Sequence, residues 1–304
     1  MEYILLAAGL FLLIKGADFF VDGASSIAAK LRVPPLIIGL TVVSFGTSAP
    51  EAAISISASI RGESAISLGN IIGSNLFNLL PVIGITSLAI PLTAERDVIN
   101  RDMPVNIFAT GALAISVIDG VIKRYEAALF LAVYLFFVIR KALRNPIDTG
   151  GGKQLSWLLS SLYVIGGLFA VVVGGDVVVD NAKMIAADLG MSEALIGLTV
   201  VALGTSLPEL VTSLVAAKKG EAGIAVGNAV GSCLFNVLFI LGITGAITPL
   251  RVDSELLTDT AFLAIVTLIV YLFAAKGKKI GRIEGAICVI LYAIYTAFII
   301  VRAY

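Results

Sequence analysis

The chain has 304 residues, of which 59% are hydrophobic and 14% are charged, and its mean hydropathy is +1.03. This balance excludes an ordinary soluble globular protein and indicates a polytopic membrane protein. The 21 basic and 21 acidic residues cancel, so no general attraction to nucleic acid is expected, and the absence of histidine leaves oxygen ligands, which favour hard cations.

Ten apolar stretches are each long enough to cross a bilayer as a helix, which takes about 20 residues. The first lacks the basic start and small-residue cleavage site of a secretory signal, so it is predicted to remain as span 1. The predicted fold class is therefore an all-α integral membrane protein with ten transmembrane helices. The expected spans are 3–29, 34–60, 64–90, 103–120, 125–142, 156–187, 192–217, 222–248, 256–275 and 282–302.

Basic residues are distributed unequally between the two sides of these spans. Leaving out Lys15, which lies within span 1, fourteen fall in the loops after spans 1, 3, 5, 7 and 9, and six fall on the opposite face. Because Lys and Arg concentrate on the cytoplasmic side, both termini are predicted to lie outside the cytoplasm, in a multi-pass protein of the plasma membrane.

Two segments of the first half recur in the second half at a constant offset of 158 residues. Segment 37–51 matches 195–209 at 11 of 15 positions, and 69–84 matches 227–242 at 9 of 16. The repeat divides the chain into a first five-helix unit, 1–143, a linker, 144–155, and a second five-helix unit, 156–304. Since five is an odd number of spans, the units are expected to be inverted repeats, as in many secondary transporters.

The repeated segments "GTSAPE" and "GTSLPE" place a carboxylate beside a helix breaker. Pro50 and Pro208 each remove a backbone donor and are expected to kink or break spans 2 and 7. Irregular backbone at membrane depth persists only where protein or a water-lined cavity satisfies it, and a bound cation can do so. Side-chain oxygens within about one helical turn converge near each break. These residues are Thr47, Ser48 and Glu51, and in the other half Thr205, Ser206 and Glu209.

The third span of each half adds polar side chains on one helix face. Ser74 with Asn78, and Ser232 with Asn236, are four residues apart and are predicted to complete the cage of oxygens. A carboxylate at the bilayer centre costs at least ~2.5 kcal/mol, so Glu51 requires a partner. One divalent cation matches two carboxylates, and no Lys or Arg within the spans stands at a repeated position. The alternative is that the glutamates are protonated packing residues.

Four aspartates also recur at the same offset and are interpreted as structural or interfacial residues. Lys15 is placed to pair with the first of them at a spacing of three residues. The four are Asp18, Asp22, Asp176 and Asp180.

With "GTSAPE", "GTSLPE", "GNIIGSNLFN" and "GNAVGSCLFN" in these places, the chain resembles the cation/calcium exchanger superfamily, and within it the prokaryotic sodium/calcium exchangers. The resemblance covers all ten spans. It implies that helices 2, 3, 7 and 8 are broken and form the ion site, and that helices 1 and 6 slide across the core to alternate access.

The resemblance also implies roles for individual residues. Glu51 and Glu209 would be the central calcium ligands, and Thr47 and Thr205 would contribute to calcium and sodium binding. The implied sodium ligands are the side chains of Ser48, Ser74, Ser206 and Ser232 and the backbone carbonyls of Ser44 and Ala202, with Asn78 and Asn236 at the centre.

One position departs from part of the family. Some archaeal relatives carry aspartate in place of Asn236, so this chain has two carboxylates at the site rather than three. If three sodium ions replace one calcium ion, the loaded site changes from about neutral to about +1, and exchange would be electrogenic.

The expected function is secondary active antiport of calcium against sodium by alternating access. It requires no enzymatic activity and no cofactor, and the expected partners are the two ions and the lipid bilayer, with no nucleic acid and no obligate protein partner. Proton/calcium exchange and potassium-dependent sodium/calcium exchange are alternatives. A channel and an intramembrane enzyme, in which the paired carboxylates form a proteolytic dyad, are the alternatives from other classes.

Overall fold

The computed structural model describes residues 1–31, 38–94, 96–142, 155–189 and 204–302. The chain there is almost entirely helical, and short π-helical segments interrupt several of the helices. The α-helices are Glu2–Leu31, Ser44–Thr47, Ala49–Ile60, Ser64–Phe77, Ile83–Ala89, Met103–Ser116, Arg124–Ala142, Trp157–Asp188, Leu207–Lys218, Ala222–Leu234, Leu241–Ile247, Ser254–Gly277 and Arg282–Arg302, and the π-helices are Gly39–Val43, Asn78–Val82, Val98–Asp102 and Phe235–Ile240.

Six helical stretches in the described part of the chain are long and apolar enough to cross a membrane. They are Glu2–Leu31, Ser64–Ala89, Trp157–Ala182, Ala222–Ile247, Ser254–Gly277 and Arg282–Arg302. Large apolar side chains such as Phe11 and Leu158 point outward, whereas many Ser, Thr and Asn side chains are buried. This is the arrangement expected of a protein whose exterior meets lipid and whose interior satisfies its own polar groups.

The predicted break in span 2 is present, and Pro50 explains where the helix resumes. One α-helix ends at Thr47 and the next begins at Ala49, with Ser48 outside helical geometry between them (φ −87°, ψ 11°). A proline is tolerated in the first turn of a helix because an amide hydrogen is not needed there. The second half repeats this, with Ser206 at φ −97°, ψ 7° before the helix Leu207–Lys218.

The third span of each half is not broken by a gap, which corrects the prediction for helices 3 and 8. The chain stays helical from Ser64 to Ala89 and from Ala222 to Ile247. The interruption is instead a π-helical segment, Asn78–Val82 or Phe235–Ile240. Pro81 lies in the first segment and cannot donate an amide hydrogen. The equivalent position in the second half is Phe239, so proline alone does not account for the π-helical turns.

The two longest helices, Glu2–Leu31 and Trp157–Asp188, pack against each other at glycine contacts. A Cβ atom added at Gly167 would lie 2.5 Å from the Phe20 backbone nitrogen and 2.8 Å from the Gly16 carbonyl oxygen. Since real Cβ atoms do not come this close to backbone, only glycine permits the observed approach.

Two short antiparallel strand pairs tie the halves of the chain together. Leu92–Thr93 pairs with Lys279–Ile280, and Val121–Ile122 pairs with Leu250–Arg251. Adding 158 to the residue numbers of the two first-half strands gives the residue numbers of the two second-half strands. The two strand pairs are therefore equivalent within the repeat. Each tie joins a loop of one half to a loop of the other, which fixes the position of the halves around the buried polar residues.

Candidate cation site

The helix breaks at Ser48 and Ser206, which occur at equivalent positions of the repeat, lie directly before the two buried carboxylates. Glu51 and Glu209 stand in the first turn of the helices that follow the breaks and are only 1% and 0% exposed. Burial of this degree requires polar partners, because an unpaired ionised carboxylate is strongly disfavoured away from water.

Each carboxylate receives a hydrogen bond from the break in the opposite half. Ser48 Oγ donates to Glu209 Oε1 at 2.8 Å, and Ser206 Oγ donates to Glu51 Oε1 at 3.1 Å. Both serines are fully buried. The crosswise pattern brings the two predicted clusters into one site, although their members are more than 150 residues apart in sequence.

The threonine that precedes the first break also reaches the other half. Thr47 Oγ1 lies 3.1 Å from both the Val43 carbonyl and Asn228 Oδ1, and its single proton can be donated to either. Thr205 lies beside the second break and is partly buried. Ser44 is buried too, and its carbonyl accepts from the Ser48 amide at 3.0 Å and lies 3.5 Å from Thr47 Oγ1. Ala202 lies outside the described residues.

Two asparagines that sequence reasoning missed hold the carboxylate-bearing helices in place. Asn70 Nδ2 donates to the Glu51 carbonyl at 3.1 Å and to Ser55 Oγ at 2.8 Å. Asn228 Nδ2 makes the equivalent bonds to the Glu209 carbonyl, at 3.1 Å, and to the corresponding serine, at 2.9 Å. The signal was available, because both asparagines follow the glycine of the repeated "GN" pair.

The predicted polar residues of the third spans are all buried. Asn78 and Asn236 are 1% and 0% exposed, and Ser74 and Ser232 are 5% and 0% exposed. Asn236 Nδ2 donates to Asn75 Oδ1 at 3.3 Å, which adds Asn75 to the polar residues that the sequence did not single out.

Several buried oxygens of these residues have no hydrogen-bond partner within the part of the chain that the structure describes. An unpaired buried acceptor is costly, by about 1–3 kcal/mol, so a group of them requires explanation. Oxygen atoms of carboxylates and amides are the ligands that hard cations prefer. The unpartnered oxygens are Glu51 Oε2, Glu209 Oε2, Asn78 Oδ1, Asn236 Oδ1 and Ser232 Oγ.

The site has few charges for a cation site. Among the described residues, no group of three or more Asp, Glu, Cys or His side chains is placed to hold a metal ion. Any cation here would therefore be bound by two carboxylates and a larger number of neutral oxygens, which suits an ion that has to leave again.

The aspartates of the first helix lie apart from this site. The predicted pair of Lys15 with Asp18 is present at 3.4 Å. Lys219, in the loop after the helix Leu207–Lys218, donates to Asp22 Oδ1 at 2.7 Å and to the Asp18 carbonyl at 2.6 Å. These contacts fasten the first helix to the second half of the chain.

A comparison of the sequence with known families matches the profile described as "Sodium/calcium exchanger protein" over residues 1–142 and 159–301. The chain belongs to the sodium/calcium exchanger family. The match includes both repeated motifs and nearly all of the described helices.

Individual relatives of this family member extend over the whole chain. Sodium/calcium exchanger MaX1 of Methanosarcina acetivorans is 33% identical and covers 100% of this chain and 99% of its own length. Inner membrane protein YrbG of Escherichia coli is 36% identical, with coverages of 93% and 92%. The solved structure of the sodium-calcium exchanger NCX_Mj soaked without Na⁺ and Ca²⁺ superimposes with a TM-score of 0.88 at 34% identity, over 98% of each chain. The resemblance read from the motifs is therefore confirmed.

Proposed function

We propose that this member of the exchanger family is a secondary active antiporter that exchanges calcium for sodium across the membrane by alternating access. The observation that carries the proposal is the crosswise pair of bonds from Ser48 to Glu209 and from Ser206 to Glu51. It joins two buried carboxylates from the two halves in one site, and each retains an oxygen without a partner among the described residues.

The charge of the site favours a divalent cation over a permanent ion pair. No Lys or Arg side chain is among the hydrogen-bond partners that the structure gives Glu51 or Glu209. Two negative charges are matched by one calcium ion or by two sodium ions. A third sodium ion would make the loaded site positive by about one charge, so we infer that exchange is electrogenic.

We infer the following ligand roles from position in the family motifs and from the buried oxygens. The two glutamates are the central calcium ligands, and Thr47 and Thr205 assist both ions. Sodium is bound by the hydroxyl groups of Ser48, Ser74, Ser206 and Ser232, by the carbonyls of Ser44 and Ala202, and around Asn78 and Asn236.

The architecture proposed for this mechanism is ten spans in two inverted units of five, 1–143 and 156–304, joined by the linker 144–155. The duplicated strand ties and the duplicated bonds of Asn70 and Asn228 support two equivalent units. Residues 144–154 of the linker lie outside the described residues. The excess of basic residues after odd-numbered spans supports a plasma-membrane location with both termini outside the cytoplasm.

Reconstituted vesicles test the proposal directly. Proteoliposomes loaded with sodium should take up calcium without ATP, and uptake should respond to an imposed membrane potential because net charge moves. Replacing sodium by choline inside the vesicles should stop uptake. Calcium uptake that persists without sodium and follows a proton gradient would refute sodium coupling, and a requirement for potassium would identify the co-transporting alternative.

A further inference from the structure

Two tight turns at equivalent positions of the repeat carry the same charges. The first turn, 61–63, follows the helix Ala49–Ile60, and the second turn, 219–221, follows the helix Leu207–Lys218. Their central glycines have φ of 75° and 83°, a conformation that favours glycine. The last residue of each turn, a glutamate, donates its amide to the carbonyl five residues earlier at 2.9 Å. The two turns therefore share one backbone conformation, and each presents one cation and one carboxylate.

The cations of these two turns contact different partners. Lys219 Nζ reaches across to the first helix, where it lies 2.6 Å from the Asp18 carbonyl oxygen and 2.7 Å from Asp22 Oδ1. Arg61 instead bonds within its own turn, to the two carboxylate oxygens of Glu63 at 3.2 and 3.1 Å. Equivalent residues in equivalent turns thus make unequal contacts.

The aspartates of the first helix also have counterparts in the second half. At the offset of 158 they correspond to Asp176 and Asp180 of the helix Trp157–Asp188, and both of these are exposed. Within the described part of the chain, Arg61 forms no ion pair with either of them. The contact that Lys219 makes between the halves is therefore made in one direction and not in the other.

The carboxylates of the two turns differ in the same way. Glu63 holds the cation of its own turn, Arg61. Glu221 is the counterpart of Glu63, and among the described residues it forms no ion pair, although Lys219 stands two positions before it. Lys219 is therefore paired with the first helix instead of with the carboxylate of its own turn.

The packing of the long helices is unequal in the same sense. The first helix packs along Leu207–Lys218, whereas Trp157–Asp188 makes no comparable contact with Ala49–Ile60 among the described residues. Thr212 is accordingly 0% exposed, and its counterpart Ile54 is 37% exposed. Because the two units are copies, exchanging their arrangements generates a second packing of the same chain. Two packings related in this way are the two access states of an inverted-repeat transporter.

We propose that Lys219 and Arg61 are positioning residues that stabilise the two access states in turn. In the first state, which is the observed one, Lys219 binds the first helix at Asp22 and Arg61 is held by the carboxylate of its own turn. In the second state, Arg61 binds Asp180, and Lys219 is held by the carboxylate of its own turn. This inference rests on the alternating access of the proposed function, and it adds no ligand to the ion site.

A permanent tether between the halves accounts for less. It explains the contacts of Lys219, but not the matching cation and carboxylate of the first turn. The contacts also have the strength that a reversible exchange requires. The side chains of Lys219 and Asp22 are 26% and 39% exposed, and ion pairs as exposed as this change an equilibrium by about two- to fivefold. Such a contact biases the two states without locking either of them.

The test measures the populations of the two states by double electron–electron resonance on the purified full-length protein in detergent. Nitroxide labels are attached at Leu31→Cys, the exposed end of the first helix, and at Lys276→Cys, which is exposed on another helix. The native Cys233 and Cys288 are buried and should stay unlabelled, which a labelling reaction on the unaltered protein checks. We expect two distance populations in samples with sodium, with calcium and with neither.

The decisive variants change equivalent glutamates in the two turns. Glu63→Gln releases Arg61 and should raise the ratio of the second state to the first about two- to fivefold. Glu221→Gln removes the residue that holds Lys219 in the second state and should lower the same ratio by a similar factor. If the two glutamates only stabilised their turns, the two variants would change the ratio alike.

Further variants connect the shift to the named partners. Asp22→Asn removes a contact of the first state and should raise the ratio as Glu63→Gln does. The effect of Glu63→Gln should disappear in an Arg61→Gln background and should be smaller in an Asp180→Asn background. The control is Lys123→Gln, which breaks an exposed ion pair with Asp119 and should leave the ratio unchanged.

The possible failures are distinguishable because the distances are measured without reference to transport. A single distance in every ion condition and every variant would refute alternating access, and this proposal with it. Two populations that Glu63→Gln and Glu221→Gln do not change, or change in the same direction, would overturn the exchange of contacts alone. So would a full effect of Glu63→Gln in protein that lacks Arg61. If Asp22→Asn does not fold, the two glutamate variants decide.

Discussion

Replacing Glu51 by Gln tests the central claim about the carboxylate pair. The amide has the same shape and can still accept the hydrogen bond from Ser206, which is 3.1 Å long in the unaltered protein. The substitution removes one of the two negative charges and replaces the unpartnered Oε2 by the amide nitrogen. The change therefore isolates charge from packing.

The expected magnitude follows from the loss of one buried charge. Truncating one member of a buried charge pair costs about 2–5 kcal/mol of binding, and 2.7 kcal/mol is ~100-fold in Kd. At a calcium concentration ~100 times the Kd of the unaltered protein, the bound ion stabilises the fold by about 2.7 kcal/mol. With 100-fold weaker binding, the same concentration yields only RT ln 2, about 0.4 kcal/mol.

The assay is thermal unfolding of the detergent-solubilised protein with and without calcium, with isothermal titration calorimetry for affinity. Without calcium, Glu51→Gln should unfold at the same or a higher temperature, because a buried charge has been removed. This distinguishes lost binding from lost folding. Glu209→Gln should behave alike, and Glu255→Gln, which alters a carboxylate that is 64% exposed, should leave the calcium response intact. Retention of the full calcium-dependent shift by Glu51→Gln would refute the site.

Four further outcomes are expected. Calcium affinity measured by calorimetry should fall as pH is lowered, because protons compete for the two carboxylates, and a pH-independent affinity would contradict this. Asn228→Ala should lower the free energy of unfolding by ~1 kcal/mol more than Asn70→Ala does, which is about one hydrogen bond, because Asn228 also contacts Thr47. Equal losses of the two variants in chemical denaturation would argue against that contact. Gly231→Ala should cost about 1–3 kcal/mol, because its Cβ would lie 2.7 Å from the Leu40 Cα atom, whereas Gly111→Ala should cost nothing in the same assay. Lys219→Gln should lower the free energy of unfolding by less than about 1 kcal/mol, and a larger loss would show that its partly exposed contacts to the first helix matter more than surface ion pairs do.

Much of the site was predictable because both halves of the chain repeat the same local pattern. Pro50 and Pro208 marked the breaks, and a proline blocks helical bonding whatever surrounds it. A carboxylate beside such a break in an apolar stretch is rarely tolerated without a partner, so Glu51 and Glu209 are identifiable as site residues from the sequence.

The roles of two asparagines and the π-helical turns depend on contacts between helices, which a local sequence pattern does not reveal. Asn70 and Asn228 resemble many polar residues in membrane helices until their amides are seen to reach the carbonyls of the two glutamates. The π-helical turns at Asn78–Val82 and Phe235–Ile240 were expected to be gaps. A helix that lacks one backbone hydrogen bond can continue through a wider π-helical turn instead of breaking. Packing against the neighbouring helices determines which of the two occurs.

The sequence by itself determined that the chain belongs in a membrane, that its two halves are copies, and which oxygen-bearing residues stand beside the helix breaks. These properties follow from composition, periodicity and the covalent geometry of proline, all of which are local. Only the tertiary structure decided that Ser48 meets Glu209 while Ser206 meets Glu51. The physical reason is that contacts between residues more than 150 positions apart depend on how whole helices pack, which the order of residues along one helix does not specify.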